Sequence, residues 1–334
     1  MKLWHKLGAS VVLTGFAAMA APQFAHAQSV IKIDGSSTVF PIAEAVAEEF
    51  QISKKGKVRV TVGIAGTGGG FKRFCRGETD ISNASRPILK EEMDACAAAG
   101  IKYMELPVAF DALTVVVNPQ NNWVKSLTVA DLKKMWEPSA QGRVSKWNQV
   151  RPDWPAQPLM LFGPGADSGT FDYFTEAVNG KAKASRGDYT ASEDDNVLVQ
   201  GVENNKNGIG YFGYAYYIAH KDKMRAVPIV NPKGKEVGPS IEAVNDGSYN
   251  PLSRPLFIYV RDTAAARAEV QEFIKFYLTD GAKLAEEVGY VPLPASAYQL
   301  ALKHFTDKKL GTVFGGVPEV GVTIEALLAR EGKL

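Results

Sequence analysis

From residue 28 onward, short apolar runs that end in small polar residues alternate with longer stretches whose apolar positions recur every three or four residues. The first pattern suits buried strands and the second amphipathic helices. Ile31-Lys32-Ile33 predicts a strand ending at Asp34-Gly35-Ser36-Ser37-Thr38, and a helix from about Pro41 to Gln51 places Ile42, Val46 and Phe50 on one face. Proline fits the first turn of such a helix. Val58 to Ile64 predicts a second strand, which runs into Gly66-Thr67-Gly68-Gly69-Gly70, with a helix opening at Phe71. Thr79 to Pro87 predicts a strand end and loop, followed by a helix from about Lys90 to Ala99. Ala109 to Asn118, bracketed by Pro107 and Pro119, reads as a long strand that crosses into a second lobe. There, helices are expected at Val129–Trp136 and Phe171–Val178 and from Val197, with strands at Leu159–Phe162 and near Gly208–Tyr211. Pro255 to Val260 reads as the return strand, before helices at Val270–Leu278 and Gly281–Val288. This alternation predicts an α/β fold with mixed sheets. Roughly 300 residues exceed one ordinary core, so two lobes are expected, 28–108 with 256–334 and 109–255.

The start of the chain follows a different rule. Lys2 and Lys6 precede an uncharged apolar stretch from Leu7 to Ala21, and Ala25-His26-Ala27 has the small-x-small pattern of a signal-peptidase site. Residues 1–27 are therefore expected to be a cleaved export signal, and the mature chain a periplasmic one. Removing them takes two of the 38 lysines and arginines and none of the 36 acids, which leaves the charges balanced. That balance argues against nucleic acid or an anionic membrane as partner. Only His220 and His304 remain as histidines, far apart and without ligand-like neighbours, so no metal site is expected. Cys75 and Cys96, 21 positions apart, read either as a disulfide of an exported protein or as two buried thiols.

Candidate chemistry lies in three segments of one design, in which a strand ends, a small hydroxylated loop follows and a helix starts. They are Ser36-Ser37-Thr38, Gly66-Thr67-Gly68 and Asp167-Ser168-Gly169-Thr170. Amides at a helix N-terminus lack intrahelical acceptors and sit at the positive end of the dipole. Hydroxyls add rotatable donors, and glycine lets the backbone approach a ligand. Such loops make an oxyanion site with few formal charges. Taken singly, each is also an ordinary helix cap. Nucleotide motifs fail, because Phe71 occupies the sixth position of the glycine run and no P-loop occurs, so no cofactor is expected. Arg86, in Ser85-Arg86-Pro87, has two readings, a bidentate oxyanion clamp or a partner for a carboxylate. Asp167 likewise reads either as an acceptor for the proton of a hydrogen phosphate or as a helix cap. A nucleophilic role for Ser168 would need a base, and neither histidine has a motif around it.

Together these loops make the chain recognisable. Gly35-Ser36-Ser37-Thr38, Gly66 to Gly70, Asp80 to Pro87, Asp167 to Thr170, Gly208-Ile209-Gly210-Tyr211 and Ser253-Arg254-Pro255-Leu256-Phe257 resemble the phosphate-binding proteins of Pst-type importers, along essentially the whole mature chain. The resemblance implies a type II periplasmic-binding-protein fold, two α/β lobes joined by two hinge strands with the ligand cleft between them. It also implies a monomeric receptor, not an enzyme, that delivers phosphate to the permease of an ABC importer. Its motifs put Ser36, Ser37, Thr38, Thr67, Ser168, Gly169 and Thr170 at the ligand. Familiar members carry an aspartate where this chain has Ser85 followed by Arg86, and an arginine where it has Pro164. An exchange of charges is therefore expected, with Arg86 the cation from lobe one and Asp167 the proton acceptor from lobe two. Molybdate, arsenate or sulfate on the same fold, and a secreted serine hydrolase, are the competing readings.

Overall fold

The computed structural model describes residues 28–334; the expected export signal, residues 1–27, lies outside them. A first lobe opens with β1 (Ser29–Gly35), α1 (Phe40–Ser53), β2 (Val58–Val62), α2 (Gly66–Phe74), β3 (Ile81–Ala84), α3 (Lys90–Ala98) and β4 (Tyr103–Ala112). The second lobe holds β5 (Thr114–Val117), α4 (Val129–Trp136), β6 (Met160–Pro164), α5 (Gly169–Asn179), β7 (Thr190–Ser192) and α6 (Asp195–Glu203). It continues with β8 (Gly208–Phe212), α7 (Tyr214–Ala219), β9 (Arg225–Ala226), β10 (Ile229–Val230), β11 (Glu236–Val237) and α8 (Ile241–Asn245). Then β12 (Ser253–Arg261), α9 (Ala268–Thr279), α10 (Gly281–Glu287), α11 (Ala295–Thr306) and α12 (Ile324–Glu331) complete the first lobe.

Each lobe is built on a five-stranded mixed sheet, ordered β2-β1-β3-β12-β4 in the first and β7-β6-β8-β5-β9 in the second. In each, three strands run parallel, and the strand that crosses from the other lobe pairs antiparallel to them. Parallel strands gather their carboxyl ends at one edge, so the loops after β1 and β6 open toward the space between lobes. Helices cover the sheets with their apolar faces; α1 buries Ile42, Ala43, Val46, Ala47 and Phe50.

Two strands carry the crossings. β4 passes through Leu113 straight into β5, whereas the sequence places the crossing between 108 and 109. Ala109 to Ala112 still pair with β12, as far as Ala112 against Ser253, and this carries the first sheet four residues further. For the same reason the return falls at Ser253 instead of Leu256. The glycine run also differs from expectation, because α2 starts at Gly66, not at Phe71. Glycine is a poor helix former, but side chains would not fit here. A Cβ on Gly70 would fall 2.6 Å from Gly35 Cα, and Gly66 takes a left-handed φ of 73°. Cys75 and Cys96 form a disulfide that ties the end of α2 to α3.

Candidate functional site

β1 ends at Gly35, and the chain turns through Ser36-Ser37-Thr38 into α1, where Phe40 N–H donates to the Ser36 carbonyl at 3.1 Å. Ser36 Oγ accepts the Val39 amide at 3.4 Å. The amides of Ser37 and Thr38 have no hydrogen-bond acceptor among the described residues. In lobe two, Ser168 caps α5 by accepting the Thr170 amide at 3.1 Å. These two loops face each other. Thr38 Oγ1 and Thr170 Oγ1 lie 2.9 Å apart, and the Tyr216 hydroxyl of lobe two donates to the Ser37 carbonyl at 3.0 Å. The third segment closes the group from below, with Thr67 Oγ1 3.2 Å from Ser85 Oγ. A Cβ on Gly169 would come within 2.6 Å of Ser85 Oγ, so only glycine admits this approach. Ser37, Thr38, Thr67, Ser85, Ser168, Gly169 and Thr170 are thus brought together, all of them buried.

Three charged side chains at this cluster were not singled out by sequence. Arg254, on β12, is completely buried and donates through Nη2 to Thr170 Oγ1 at 2.8 Å and to Thr38 Oγ1 at 3.2 Å. It therefore bridges hydroxyls of both lobes. Its counter-ion is Asp111, its direct cross-strand partner on β4, at 3.0 Å and equally buried. The second Asp111 oxygen accepts the Tyr214 amide at 3.0 Å. A buried ion pair survives only when its remaining hydrogen-bonding groups are satisfied in this way. Asp195, at the start of α6, is the third. One of its oxygens accepts the Ser37 hydroxyl across the lobes at 3.3 Å, and the other has no partner among the described residues. Burial pushes its carboxyl up to about 7, only partly offset by the nearby Arg254 guanidinium.

Sequence cues for these residues existed. Asp111 is the lone charge in the apolar run from Ala109 to Asn118, Arg254 stands at the start of another, and Asp195 follows Asp194. Asp194 takes the capping role, accepting the Asn196 amide at 2.9 Å, which leaves Asp195 to turn inward.

The two charges expected at the ligand, Arg86 and Asp167, are engaged with other side chains. Arg86 is buried but engaged, donating through Nε to Asp172 at 2.7 Å and through Nη1 and Nη2 to both Glu92 oxygens at 2.8 and 2.7 Å. A further bond goes to the Pro87 carbonyl at 3.0 Å. Burial opposes its charge, but the two carboxylates outweigh that and raise its affinity for the proton. Glu92 lies six residues on, at the first turn of α3, within easy reach of a long side chain. Asp167 points outward, 44% exposed, and pairs with Lys72 at 2.6 Å. Its neighbour Ser168 takes the capping position and turns Asp167 to the rim.

Residues 22–281 match the model of a PBP superfamily domain. Protein SphX of Synechococcus elongatus is 55% identical over 328 residues, covering 97% of this chain and 96% of that protein. The phosphate-binding protein PstS of Staphylococcus saprophyticus is 40% identical, over 89% of this chain and 92% of its own. Among solved structures, a possible phosphate-binding protein from Planctomyces limnophilus is 50% identical with a TM-score of 0.62, over 84% and 99% of the two chains. A putative phosphate transporter substrate-binding protein with bound phosphate, from Clostridium perfringens, is 27% identical with a TM-score of 0.67, over 80% and 100%. Matches of this length and identity, on a two-lobed fold with hydroxyl-lined helix starts facing each other, mean that the chain belongs to the PBP superfamily and, within it, to the PstS family of phosphate-binding proteins.

Proposed function

We propose that this protein binds inorganic phosphate between its lobes and hands it to the membrane permease of an ABC importer. The observation that carries the reading is Arg254, a buried cation on a crossing strand that donates to Thr38 and Thr170 from opposite lobes. A tetrahedral oxyanion placed among these groups receives hydroxyl donors from Thr38, Ser168 and Thr170 and amide donors from both helix starts, those of Ser37 and Thr38 included. Thr67 and Ser85 add hydroxyls from beneath, and Gly169 provides the close approach. With water excluded, each charge-assisted bond strengthens, so ligand and closure favour each other.

Asp195 is the proton acceptor in this reading, in the place that sequence gives to Asp167, and Arg254 is the cation in the place given to Arg86. A carboxylate with a free, buried oxygen accepts a bond from a protonated anion and repels one that carries no proton, which favours phosphate over sulfate. The protein is a carrier and not a hydrolase, for Ser168 has no histidine placed to activate it. His220 bonds to the Tyr216 carbonyl at 2.9 Å, and His304 sits by Glu331 at 3.1 Å, so neither is available to a nucleophile. It works as a monomer in the periplasm, after residues 1–27 are cleaved. The test is calorimetry on phosphate-stripped mature protein, titrated with phosphate and then sulfate at pH 8. Tight one-to-one binding of phosphate alone is expected, and heat from neither anion would overturn the reading.

A further inference from the structure

Three ion pairs join the lobes along one rim of the cleft. Lys72 meets Asp167 at 2.6 Å and Lys183 meets Glu91 at 3.0 Å, both largely in solvent, where such pairs contribute little. The third is different. Arg86 of lobe one meets Asp172 of lobe two at 2.7 Å, with side-chain exposures of 4% and 2%. Glu92 grips the same guanidinium with two bonds from within lobe one, so Arg86 keeps a partner and its orientation when the lobes part. Asp172 lies in the first turn of α5, three residues after Gly169, and moves with the Ser168–Thr170 loop. Opening the cleft separates this one buried pair and returns Asp172 to water, while closing it reforms the bond.

We infer that Arg86 and Asp172 are positioning residues, a buried latch that favours the closed form and sets how long a bound anion stays. The inference rests on the reading of the cleft as a phosphate site, yet it has its own readout. In Asp172→Asn the Arg86 charge remains balanced by Glu92, so the lobes keep their fold while the inter-lobe pair is lost. Stopped-flow release and calorimetry of this variant should show phosphate dissociation faster and Kd higher by roughly tenfold or more, with association nearly unchanged. Lys72→Gln, on the same rim, should change Kd by less than about twofold. A merely structural role for Asp172 would lower the melting temperature without altering the distance between lobes. Spin labels on Lys57→Cys and Lys206→Cys, one per lobe and both exposed, read that distance directly, and the Asp172→Asn distribution should shift toward longer separations. Unchanged release and an unchanged distribution would overturn the latch. If wild-type protein binds no phosphate, the ligand reading fails and the label distances decide the latch alone, identical distributions in wild type and variant overturning it.

Discussion

Replacing Asp195 by asparagine is the sharpest test of how this site tells one oxyanion from another. In the wild type, a carboxyl titrating at about 7 accepts a bond when ionised and donates one when protonated. Sulfate brings no proton at neutral pH, so only the protonated carboxyl tolerates it. The protonated fraction falls from about nine-tenths at pH 6 to about one-tenth at pH 8, so the apparent sulfate Kd of the wild type should rise about tenfold across that range. The carboxamide of Asp195→Asn offers a permanent donor and titrates nowhere in this range. The variant should bind sulfate with a Kd flat between pH 6 and 8, and should bind phosphate more weakly than the wild type. Its fold should hold, since the carboxamide keeps the oxygen that accepts the Ser37 hydroxyl. Calorimetric titration of both anions at pH 6, 7 and 8 reads all of this. A wild-type sulfate response flat in pH, or a variant that rejects sulfate as the wild type does at pH 8, would refute the reasoning.

Other outcomes follow from the same geometry. Arg254→Lys keeps a cation but cannot hold Asp111 through two nitrogens while one of them also reaches Thr38 and Thr170, so phosphate Kd by calorimetry should rise roughly a hundredfold. Cys75→Ser with Cys96→Ser opens a link between residues 21 apart, and urea unfolding should show a loss of roughly 3 kcal/mol by the loop-entropy relation. Glu331, buried beside His304 and Glu105, is pushed up to about 8, chiefly by burial. A carboxyl raised on folding binds its proton more tightly in the native state. The stability it contributes is therefore present below about pH 4.5 and is lost as pH rises toward 8, with a slope of at most about 1.4 kcal/mol per pH unit. Glu331→Gln should flatten the denaturation midpoint against pH over that window; an unchanged profile would show that another group sets it.

The loops were the most legible part of the molecule, because a hydroxylated helix start is written locally. Ser37-Thr38 and Ser168-Gly169-Thr170 need only their neighbours to form. The charges were less legible, because a charge takes its meaning from what faces it. Asp111 and Arg254 are 143 residues apart and become partners only through the pairing of β4 with β12. For Arg86 a carboxylate partner was one of two readings, but nothing in the chain singled out Glu92 or foretold Asp172. Among helices, the short α7 and α8 went unread, as did α11 and α12; the buried face of α11 sets Ala297, Ala301 and His304 beside Tyr298 and Phe305, a mixture with little hydrophobic contrast. The glycine run misled for a physical reason: propensity speaks for a loop at Gly66–Gly70, and close packing overrides it.

That packing gives the molecule a mechanical end-stop. Gly68 N–H donates to the Asp167 carbonyl of the opposite lobe at 2.8 Å, backbone against backbone with no side chain between. The distance at which the two halves come to rest is therefore set by the thickness of a bare peptide. A methyl added at Gly68 would meet that carbonyl at 3.4 Å, an ordinary contact, so alanine leaves the spacing as it is, while side chains that reach further act as shims of graded thickness. The same spot offers an engineer a way to tune how firmly the protein grips without touching an atom that meets the ligand.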